Sequence, residues 1–523
     1  MNLWLVSREY AGIAEAGGVK NVATSLCESF VRLGHRVTLF IPLYGCSDLS
    51  EVEWDHDYDD SFESIEILGK TESITYRRGK LNGVDIVFVC HPSFEEKRAV
   101  YTYTQEDQDE NPCHVKGNGH VDVNFMNVIF QKAVILYAKK CTVVDIPAVI
   151  HCQDAPTAMV PVYGKVLCNS DEKVREILEK TKYVVTIHNA GPGYHHSIGS
   201  LGEAVEYTGI KEDILRFGLA KEGVEPFVLA GLYSVVTTVS PEYANEIIEN
   251  RTDTDGLAEK FNENHISITG ITNGIDFTRY DTDDITKSQL PFPYDPLSGN
   301  MEGKYKCREL FIKDYALKES CCIPEGLLKY GYLDVSEGIE SYVYIAYHGR
   351  VVHQKGIEVM CDATEKLLER NHKVKFIFAG QGAPELEDRL AAVATKYKGS
   401  VLYLKGYDKI LARLSVAASD FSLHPSWFEP CGLEDFIAQT FGTLPIANAT
   451  GGLNKIIDGK TGWLYSPNTG DVLSGVMEKV SRMVLENGRD EIIQMACEAS
   501  RYIHETYSWD KVALEYERLY GEN

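Results

Sequence analysis

The sequence predicts an α/β protein made of two doubly wound domains, each a parallel β-sheet flanked by helices. Short apolar runs rich in Val, Ile, Phe and Tyr alternate with stretches of helical periodicity along the chain. The runs lack strict apolar–polar alternation, which indicates strands that are buried on both faces. With 523 residues, the chain is too long for one hydrophobic core and suits two or three domains.

The first half of the chain supplies the first predicted sheet. Its strands are NLWLVS, HRVTLFIP, VDIVFVC, PAVIHC, KYVVTIHN, YSVVTTVS and ISITGITNG. Helical segments such as Val19–Leu33 and Phe125–Lys139 lie between several of these runs. Strands that alternate with helices predict parallel pairing through right-handed crossovers.

The second half repeats the scheme. Its predicted strands are YVYIAYHG, KVKFIFAG, SVLYLKG, DFSLHPS and TLPIANA. Its predicted helices lie near Ile357–Arg370, Glu385–Lys396 and Asp408–Ala418. The stretch Asp276–Ser341 contains the proline cluster LPFPYDP, and we interpret it as a linker with an insertion. The predicted domains are therefore residues 1–275 and 276–504, followed by the amphipathic segment SWDKVALEYERLY.

Composition excludes several classes of function. The net charge of −25, from 52 basic and 77 acidic residues, disfavours nucleic acids and anionic membranes as partners. The 13 cysteines lack metal-ligand spacing, which predicts reduced thiols and no metal site. The first residues resemble a buried strand rather than a signal peptide, and no apolar run is long enough to span a membrane. These features predict a soluble, cytoplasmic protein.

In an open parallel sheet, ligands bind beyond the carboxyl ends of the strands, and polar clusters follow several strands of the first half. Gly17 and Gly18 open a helix, where they are either simple turn residues or a close approach to an anion or sugar. Asp154 follows PAVIHCQ and is either a helix N-cap or a functional carboxylate. His188 ends KYVVTIH, before a glycine-containing loop.

The second half carries cations and an aromatic ring at equivalent positions. Arg350 and Lys355 flank one turn after a strand, where they are either surface charges or a clamp for the two phosphates of a diphosphate. Tyr407 follows the next-but-one strand and could stack on a base or cap the core.

Two further strand-to-helix junctions contain FEPCGL and TGGL. They place Glu429 at one junction and Gly451 with Gly452 at the other. The glutamate is either a first-turn carboxylate facing the helix dipole or a ligand-binding group. The sequence has no GxGxxG fingerprint opening either half, no GxxxxGK[ST] loop and no HExxH motif. Dehydrogenase, P-loop and zincin functions are therefore disfavoured.

The stretch HPSWFEPCGLEDFIAQTFGTLPIANATGGL, residues 424–453, closely resembles a segment of bacterial glycogen synthases and plant starch synthases. Further resemblances follow in the family's order along the chain. They are EAGGVKNVATSLCESFVRLGHRVTLFIPLYG, HCQDAPTA, TIHNAGPGY, TTVSPEYANEI, ITNGIDFTRYDTDD and GRVVHQKGIEVM. The resemblance covers most of the chain and thins at Ser47–Asp122 and Tyr280–Ser341.

This resemblance implies a GT-B fold of two Rossmann-like domains, with the active site in the cleft between them. It also implies that the C-terminal helix, residues 505–523, packs back on the first, acceptor-side domain, while the second domain binds the nucleotide sugar. The implied reaction moves glucose from a nucleotide-diphosphate-glucose, usually ADP-glucose, to the nonreducing 4-hydroxyl of an α-1,4-glucan. The anomeric configuration is retained, and no cofactor or metal is implied.

The resemblance also assigns site residues. The implied catalytic residues are Asp154, His188, Arg350, Lys355 and Glu429. The implied donor-binding residues are Glu15, Gly17, Gly18, Arg350, Lys355, Tyr407, Cys431, Gly432, Leu433, Thr450, Gly451 and Gly452. Tyr407 would stack on the adenine, and Glu429 would bind glucose and steady its cationic centre. Without a divalent ion, Arg350 and Lys355 would have to compensate the charge that develops on the diphosphate.

Some positions depart from the family pattern. Glu15 stands where the family has lysine, and Glu434 with Asp435 replaces a more usual Asn/Thr-Gln pair. Ala155 and Pro156 stand where the family usually has Trp-His. Two alternatives therefore stay open: a retaining transferase with another donor, such as UDP-glucose, or another acceptor, and a weakened homologue that binds glucan without efficient catalysis.

Overall fold

The structure, a computed structural model, describes residues 1–55 and 61–521. The chain divides into two compact units, one formed by Met1–Gly274 with Trp509–Asn523 and the other by Ile275–Ser508. The last two residues of the predicted C-terminal helix, 522 and 523, lie outside the described residues. Each unit has its own sheet, so the two are described in turn.

The first unit contains a ten-stranded mixed sheet and a separate two-stranded hairpin. Its strands are β1 (Asn2–Val6), β2 (Arg36–Pro42), β3 (Glu53–Trp54), β4 (Glu63–Ile67), β5 (Lys70–Leu81), β6 (Val84–Cys90), β7 (Val149–Gln153), β8 (Lys182–Ile187), β9 (Leu219–Ala220), β10 (Gly223–Val224), β11 (Val235–Thr238) and β12 (Ile268–Gly270). The order β12-β11-β8-β7-β1-β2-β6 is parallel throughout, and β5, β3 and β4 extend it antiparallel. Because β2 and β7 lie on opposite sides of β1, the strand order reverses there.

Helices connect these strands. They are α1 (Val19–Arg32), α2 (Pro92–Glu95), α3 (Gln105–Glu110), α4 (Val123–Leu136), α5 (Val160–Ser170), α6 (Glu172–Leu178), α7 (Leu201–Thr208), α8 (Glu212–Leu215), α9 (Pro226–Gly231), α10 (Pro241–Ile248) and α11 (Leu257–Glu263). Local sequence sets several of their ends. For example, α7 begins with a reciprocal capping box between Ser200 and Glu203 and ends at Gly209, whose φ is +67°.

The second unit contains a seven-stranded sheet in the order β13-β16-β15-β14-β17-β18-β19. Its strands are β13 (Leu328–Gly331), β14 (Val343–His348), β15 (Val374–Gly380), β16 (Val401–Lys405), β17 (Phe421–His424), β18 (Leu444–Asn448) and β19 (Trp463–Tyr465). Its helices are α12 (Ile285–Ser288), α13 (Glu302–Phe311), α14 (Ile357–Leu368), α15 (Pro384–Lys396), α16 (Lys409–Ala417), α17 (Glu434–Thr440), α18 (Gly470–Asn487) and α19 (Asp490–Thr506). All pairs are parallel except β13 with β16, and the order reverses between β14 and β17.

The predicted fold class is confirmed, since each unit is a doubly wound sheet with helices. The prediction missed β3, β4 and β5, which lie in the stretch where the resemblance to the family is weak. β5 has mostly polar residues and partly exposed positions, and it pairs antiparallel with β6 on one side and with β3 and β4 on the other. An antiparallel strand can leave one face in solvent, so β5 lacks the apolar run of a strand buried on both faces. The prediction also missed the short strands β9, β10 and β19, and β13, which lies inside the predicted insertion.

A final helix, α20 (Trp509–Gly521), returns the chain to the first unit. Its Asp510 pairs with Arg32 of α1 at 2.6 Å, and its Tyr520 hydroxyl lies 2.7 Å from Nδ1 of His151 in β7. Lys182 of β8 donates to the carbonyl of Leu519 at 2.7 Å. Helix α20 therefore completes the packing of the first unit. Over the described ranges, the chain has no helix with the length and apolar character that a membrane span requires.

Candidate active site

In both units, candidate residues follow the strands where the order of the sheet reverses. In the first unit, Glu9 follows β1 and Asp154 follows β7, the two strands at the reversal, and His188 follows β8, the neighbour of β7. In the second unit, Lys355 follows β14 and Glu429 follows β17. Ligands of open α/β sheets bind at such switch points, so each group is a candidate site by position.

The loop after β1 is organised around Glu9, a fully buried carboxylate. Glu9 accepts hydrogen bonds from the amides of Ala16 and Gly17 and from the hydroxyl of Tyr101. A Cβ at Gly17 would lie 3.2 Å from Oε1 of Glu9, so the glycine allows this close approach. The amide of Gly17 is thus hydrogen-bonded to Glu9. Gly18 is the N-cap of helix α1, which has no side-chain cap.

Glu15, the acidic replacement for the family's lysine, is paired with a lysine of its own loop. Its carboxylate lies 2.6 Å from Nζ of Lys20 and accepts the amide of Gly12 at 2.8 Å. Lys20 therefore cancels the negative charge of Glu15 beside the glycine turn, and the pair has no net charge. The pair is partly exposed, so we expect it to be weakly held and able to rearrange.

Asp154 occupies a strained backbone position at the end of β7. Its φ of +66° and ψ of 176° are rarely adopted by residues other than glycine, and such outliers concentrate at functional sites. Its Oδ1 accepts the amide of His188 at 3.3 Å. Burial raises the pKa of Asp154 to about 7, although the amides of His188 and Ala155 oppose this shift.

His188 is held at the end of β8 by the side chain of Gln153, with Nε2 lying 2.8 Å from Oε1 of the amide. Burial lowers the pKa of His188 to about 4, so its imidazole is neutral at physiological pH. The structure thus brings Asp154 and His188 together, with the carboxyl of one bound to the backbone of the other. A neutral imidazole here can exchange hydrogen bonds but does not supply a positive charge.

The second unit contains a close ion pair between Lys355 and Glu429, with Nζ and Oε2 2.5 Å apart. Ser426 donates a further hydrogen bond to the same carboxylate oxygen at 3.1 Å. Burial alone would raise the pKa of Glu429, but the ammonium of Lys355 holds it below its usual value. Glu429 is therefore an anion at neutral pH, in contact with a cation from the turn after β14.

Arg350, the other predicted cation, lies on the same turn but is exposed. Its guanidinium donates to the side chain of Gln354 at 3.3 Å. The side-chain amide of Gln354 donates to the backbone carbonyl of Phe428 at 3.2 Å. The backbone carbonyl of Gln354 accepts a hydrogen bond from the backbone amide of Trp427 at 2.8 Å. The turn that carries Arg350 and Lys355 is thus fastened to the segment that carries Glu429.

The predicted donor-binding turns, Cys431–Leu433 and Thr450–Gly452, pack directly against each other. The amide of Gly452 donates to the carbonyl of Glu429 at 2.8 Å. A Cβ at Gly452 would lie 2.2 Å from the carbonyl oxygen of Cys431, so only glycine permits this contact. Gly432 and Gly451 have φ of +76° and +45°, conformations that favour glycine.

Tyr407 lines an open pocket at the carboxyl ends of β14, β15 and β16. Tyr407 is 66% exposed, which leaves its ring available for stacking. Leu327, His348, Gly380 and Leu411 also line this pocket. Leu327 comes from the segment just before β13.

The cysteines and acidic residues do not form a metal site in the described structure. All 13 cysteines lie in the described ranges, and none of them forms a disulfide. Within residues 1–55 and 61–521, no cluster of three or more His, Cys, Asp and Glu side chains is arranged to hold a metal ion.

Sequence reasoning missed several residues that organise these groups. Glu9 and His348 gave no motif signal, although Glu9 follows a predicted strand and His348 lies near the end of one. Glu434 and Asp435 were identified only as departures from a family pattern; in the structure Glu434 lies 3.2 Å from His348 and Asp435 lies 3.0 Å from Lys455. Nothing in the sequence around Lys455 signalled its role, because its contacts depend on how two distant turns pack.

The chain is similar to known proteins in both fold and sequence. The fold matches the catalytic domain of starch synthase IV from Arabidopsis thaliana, bound to ADP and acarbose, with a TM-score of 0.77, 23% identity, and coverage of 99% of this chain and 98% of that one. The chain is 29% identical to the glycogen synthase of Thermodesulfovibrio yellowstonii over 99% of its length and 97% of the relative's. It is 26% identical to the glycogen synthase of Aeromonas salmonicida over 100% and 98% of the two lengths.

These matches and the two doubly wound units define a GT-B glycosyltransferase fold. Residues 2–263 match the family described as the starch synthase catalytic domain, and residues 343–484 match glycosyl transferases group 1. The chain therefore belongs to the starch synthase catalytic-domain family. The segment 264–342, which carries β13, lies outside both matches.

Proposed function

We propose that this protein transfers glucose from ADP-glucose to the nonreducing 4-hydroxyl of an α-1,4-glucan, with retention of configuration. The observation that carries the proposal is the Lys355–Glu429 pair at the switch point of the second unit, in a chain of the starch synthase family. The names of its relatives, which are glycogen synthases, support a glucan acceptor, and the ADP complex of the Arabidopsis enzyme supports an adenine nucleotide donor.

In this proposal the second unit binds the donor. The tyrosine ring of Tyr407 stacks on the base, and Arg350 and Lys355 contact the diphosphate. Glu429 accepts hydrogen bonds from the glucose hydroxyls, and the turns Cys431–Leu433 and Thr450–Gly452 surround the phosphate and the sugar. The contact of Lys355 with Glu429 supports this arrangement, since it places a cation for phosphate and an anion for sugar side by side.

During transfer, the bond between glucose C1 and the phosphate oxygen breaks, and its electron pair leaves with the nucleoside diphosphate. Lys355 and Arg350 stabilise the negative charge that develops on the phosphate. The Glu429 carboxylate stabilises the partial positive charge on the sugar ring. The acceptor hydroxyl forms the new bond to C1 and gives its proton to a phosphate oxygen of the donor, so no separate base is required.

Residues of the first unit contact the transferred sugar and the acceptor in this proposal. His188, neutral at physiological pH, hydrogen-bonds a glucose hydroxyl. Asp154 orients the sugar or the acceptor, and the strained backbone at its position supports a functional role. We place the reaction in the cytoplasm, which is supported by thirteen cysteines of which none forms a disulfide.

Two alternatives differ in donor, acceptor or efficiency. A weakened homologue was suggested by Glu15, whose acidic side chain would repel a diphosphate. Its pairing with Lys20 offsets that charge and supports an active enzyme. UDP-glucose remains the alternative donor, and a different acceptor sugar remains the alternative acceptor.

The direct test is incubation of the purified protein with radiolabelled ADP-glucose or UDP-glucose and glycogen, followed by measurement of label in the polymer. We expect incorporation from ADP-glucose, competition by unlabelled ADP-glucose, and label released by an enzyme specific for α-1,4 linkages. Glycogen with heat-denatured protein gives the background. Absence of polymer-bound label with both donors would contradict the proposal, and faster incorporation from UDP-glucose would change the donor.

A further inference from the structure

Lys455 joins three segments of the second unit at a single buried point. Its ammonium donates to the carbonyl of Cys431, to the carbonyl of Gly432 at 3.0 Å, and to Oδ1 of Asp435 at 3.0 Å. The side chain of Lys455 is 4% exposed and that of Asp435 is fully buried. These contacts use the three donors of an ammonium group.

The partner of Lys455 is an incompletely satisfied carboxylate. Oδ2 of Asp435 is buried and has no hydrogen-bond partner among the described residues. Burial raises the pKa of Asp435 to about 6, although Lys455 opposes the shift. A buried ion pair in which one carboxylate oxygen accepts no hydrogen bond contributes little to stability. Stability therefore does not explain why Lys455 and Asp435 are paired here.

The position of the pair next to Glu429 indicates its role. The two carbonyls that Lys455 holds belong to the turn directly after Glu429, and Lys455 itself ends the Gly451–Lys455 turn. At Gly432, a Cβ would lie 2.8 Å from Oδ1 of Asp435 and 3.2 Å from Nζ of Lys455, so the pair is packed against the turn itself. The charge of Lys455 also contributes to lowering the pKa of Glu429.

We propose that Lys455 is a positioning residue: with Asp435, it fixes the backbone of Glu429–Leu433 and thereby the orientation of the Glu429 carboxylate and of the adjoining glycine turns. It does not touch substrate. The proposal rests on the function proposed above, because the fixed turn is the one that would hold the donor. Nothing in either family match or in the sequence motifs assigns a role to this pair.

The test compares two buried lysines of the same unit. Lys455→Met removes the central ammonium, and Lys455→Met combined with Asp435→Leu also removes the carboxylate that would be left unpaired. The matched control is Lys304→Met. Lys304 donates to the carbonyls of Ala417 and Phe441 and to Oγ1 of Thr443. These groups precede strands β17 and β18, so they lie at the amino ends of the strands, away from the turns that follow the carboxyl ends.

Three measurements separate positioning from stability: melting temperature, hydrogen exchange of a peptide containing residues 429–433, and the Kd for ADP. We expect the double variant to recover melting temperature relative to Lys455→Met, yet to exchange about tenfold faster in that peptide. We expect its Kd for ADP to rise about tenfold as the glycine turns loosen, with a raised KM for ADP-glucose. We also expect kcat to fall, because the Glu429 carboxylate is no longer held in its orientation. Lys304→Met should lower melting temperature without changing exchange at 429–433 or the Kd for ADP.

Unchanged exchange at residues 429–433 in the double variant would overturn the inference, whatever the activity. Equal changes in exchange and ADP affinity in Lys304→Met would also overturn it, because the effect would then be general destabilisation. If exchange increases as expected but the unmodified protein neither binds ADP nor transfers glucose, the positioning role stands and the proposed function fails.

Discussion

At the scale of single residues, the Lys355–Glu429 contact joins two groups with opposite tasks in the proposed reaction. The lysine faces developing negative charge on the leaving group, and the glutamate faces developing positive charge on the sugar. In the structure each neutralises the other across 2.5 Å. When the donor binds, the ammonium of Lys355 has to contact both the Glu429 carboxylate and the phosphate. The negative charge of Glu429 then stabilises the sugar most in the transition state, where the sugar is most cationic.

Replacing Glu429 with Gln tests this assignment. The amide keeps the size of the side chain but removes the negative charge that would stabilise the sugar cation. We expect kcat to fall by about 100-fold or more, with a change in KM for ADP-glucose of about threefold or less. Steady-state kinetics with glycogen measures both values.

A matched control for that variant is Glu365→Gln, which removes one carboxylate from a helix-surface pair with Lys396 at 2.7 Å. We expect kcat close to that of the unmodified protein. An equal kcat in Glu429→Gln and the unmodified protein would remove Glu429 from the catalytic residues.

The raised pKa of Asp154 predicts a pH-dependent contribution to stability. Its pKa is about 7 in the folded protein, against about 3.9 in an unfolded chain. Between these values the folded state binds more protons than the unfolded state, so this group's contribution to stability falls as pH rises from about 4 to about 7. Asp154→Asn should therefore raise the melting temperature relative to the unmodified protein more at pH 8 than at pH 5.

The comparison is made by thermal denaturation of both proteins at each pH. Asp283→Asn, at an exposed loop aspartate, controls for a general change of charge. If the difference between Asp154→Asn and the unmodified protein is the same at pH 5 and pH 8, the carboxyl of Asp154 does not titrate in this range.

At the scale of elements, sequence reasoning located the strand ends and hence the residues that follow them. Asp154, His188, Lys355 and Glu429 all follow strands that apolar runs predicted, because a buried strand needs such a run. Contacts between loops were not predictable in this way. Glu9 reaches the amide of Gly17, and Lys455 reaches carbonyls more than 20 residues away, through packing that no local pattern encodes.

Strand β13 shows the same limit. It pairs antiparallel with β16 at the edge of the sheet, in a segment interpreted from sequence as a linker with an insertion. Three of its four residues are partly buried, so it lacks the apolar run of an inner strand. Its importance is positional, because the residue before it, Leu327, lines the pocket that contains Tyr407.

Leu327→Ala tests whether that pocket binds the base of the donor. Loss of the apolar contact should cost about 1 kcal/mol, equivalent to about a fivefold rise in the Kd for ADP. The Kd for inorganic pyrophosphate, which has no base, should not change. Leu328→Ala is the control, since Leu328 is next in the chain, 54% exposed and not part of the pocket lining. A parallel loss of ADP and pyrophosphate affinity would mean that the pocket does not bind the base.

At the scale of the whole molecule, the same architecture occurs twice in one chain. Each unit is a doubly wound sheet whose order reverses at a central strand, and each places charged residues after that strand. The sequence predicted this duplication because both halves repeat the alternation of apolar runs and helices. The family resemblance implied that the C-terminal helix packs on the first unit. The individual contacts of α20 were not predicted, because they join residues separated by more than 300 positions, such as His151 and Tyr520.

These long-range contacts lead to a prediction about the C-terminal helix. Trp509, Tyr516 and Tyr520 are buried against the first unit, so α20 forms part of its core. A chain that ends at Ser508 should expose the surface that these aromatic rings cover. We expect this truncated chain to melt at a lower temperature than the unmodified protein and to aggregate on heating.

A milder variant isolates one contact of this helix. Tyr520→Phe removes the hydroxyl that lies 2.7 Å from Nδ1 of His151 and keeps the ring. Loss of this buried hydrogen bond should cost about 1 kcal/mol and lower the melting temperature by about 2–4 °C. Asp510→Asn, which breaks the exposed pair with Arg32, should lower it by less than about 1 °C. Melting curves followed by circular dichroism measure all three variants. If the truncated chain melts at the same temperature as the unmodified protein, α20 does not stabilise the first unit.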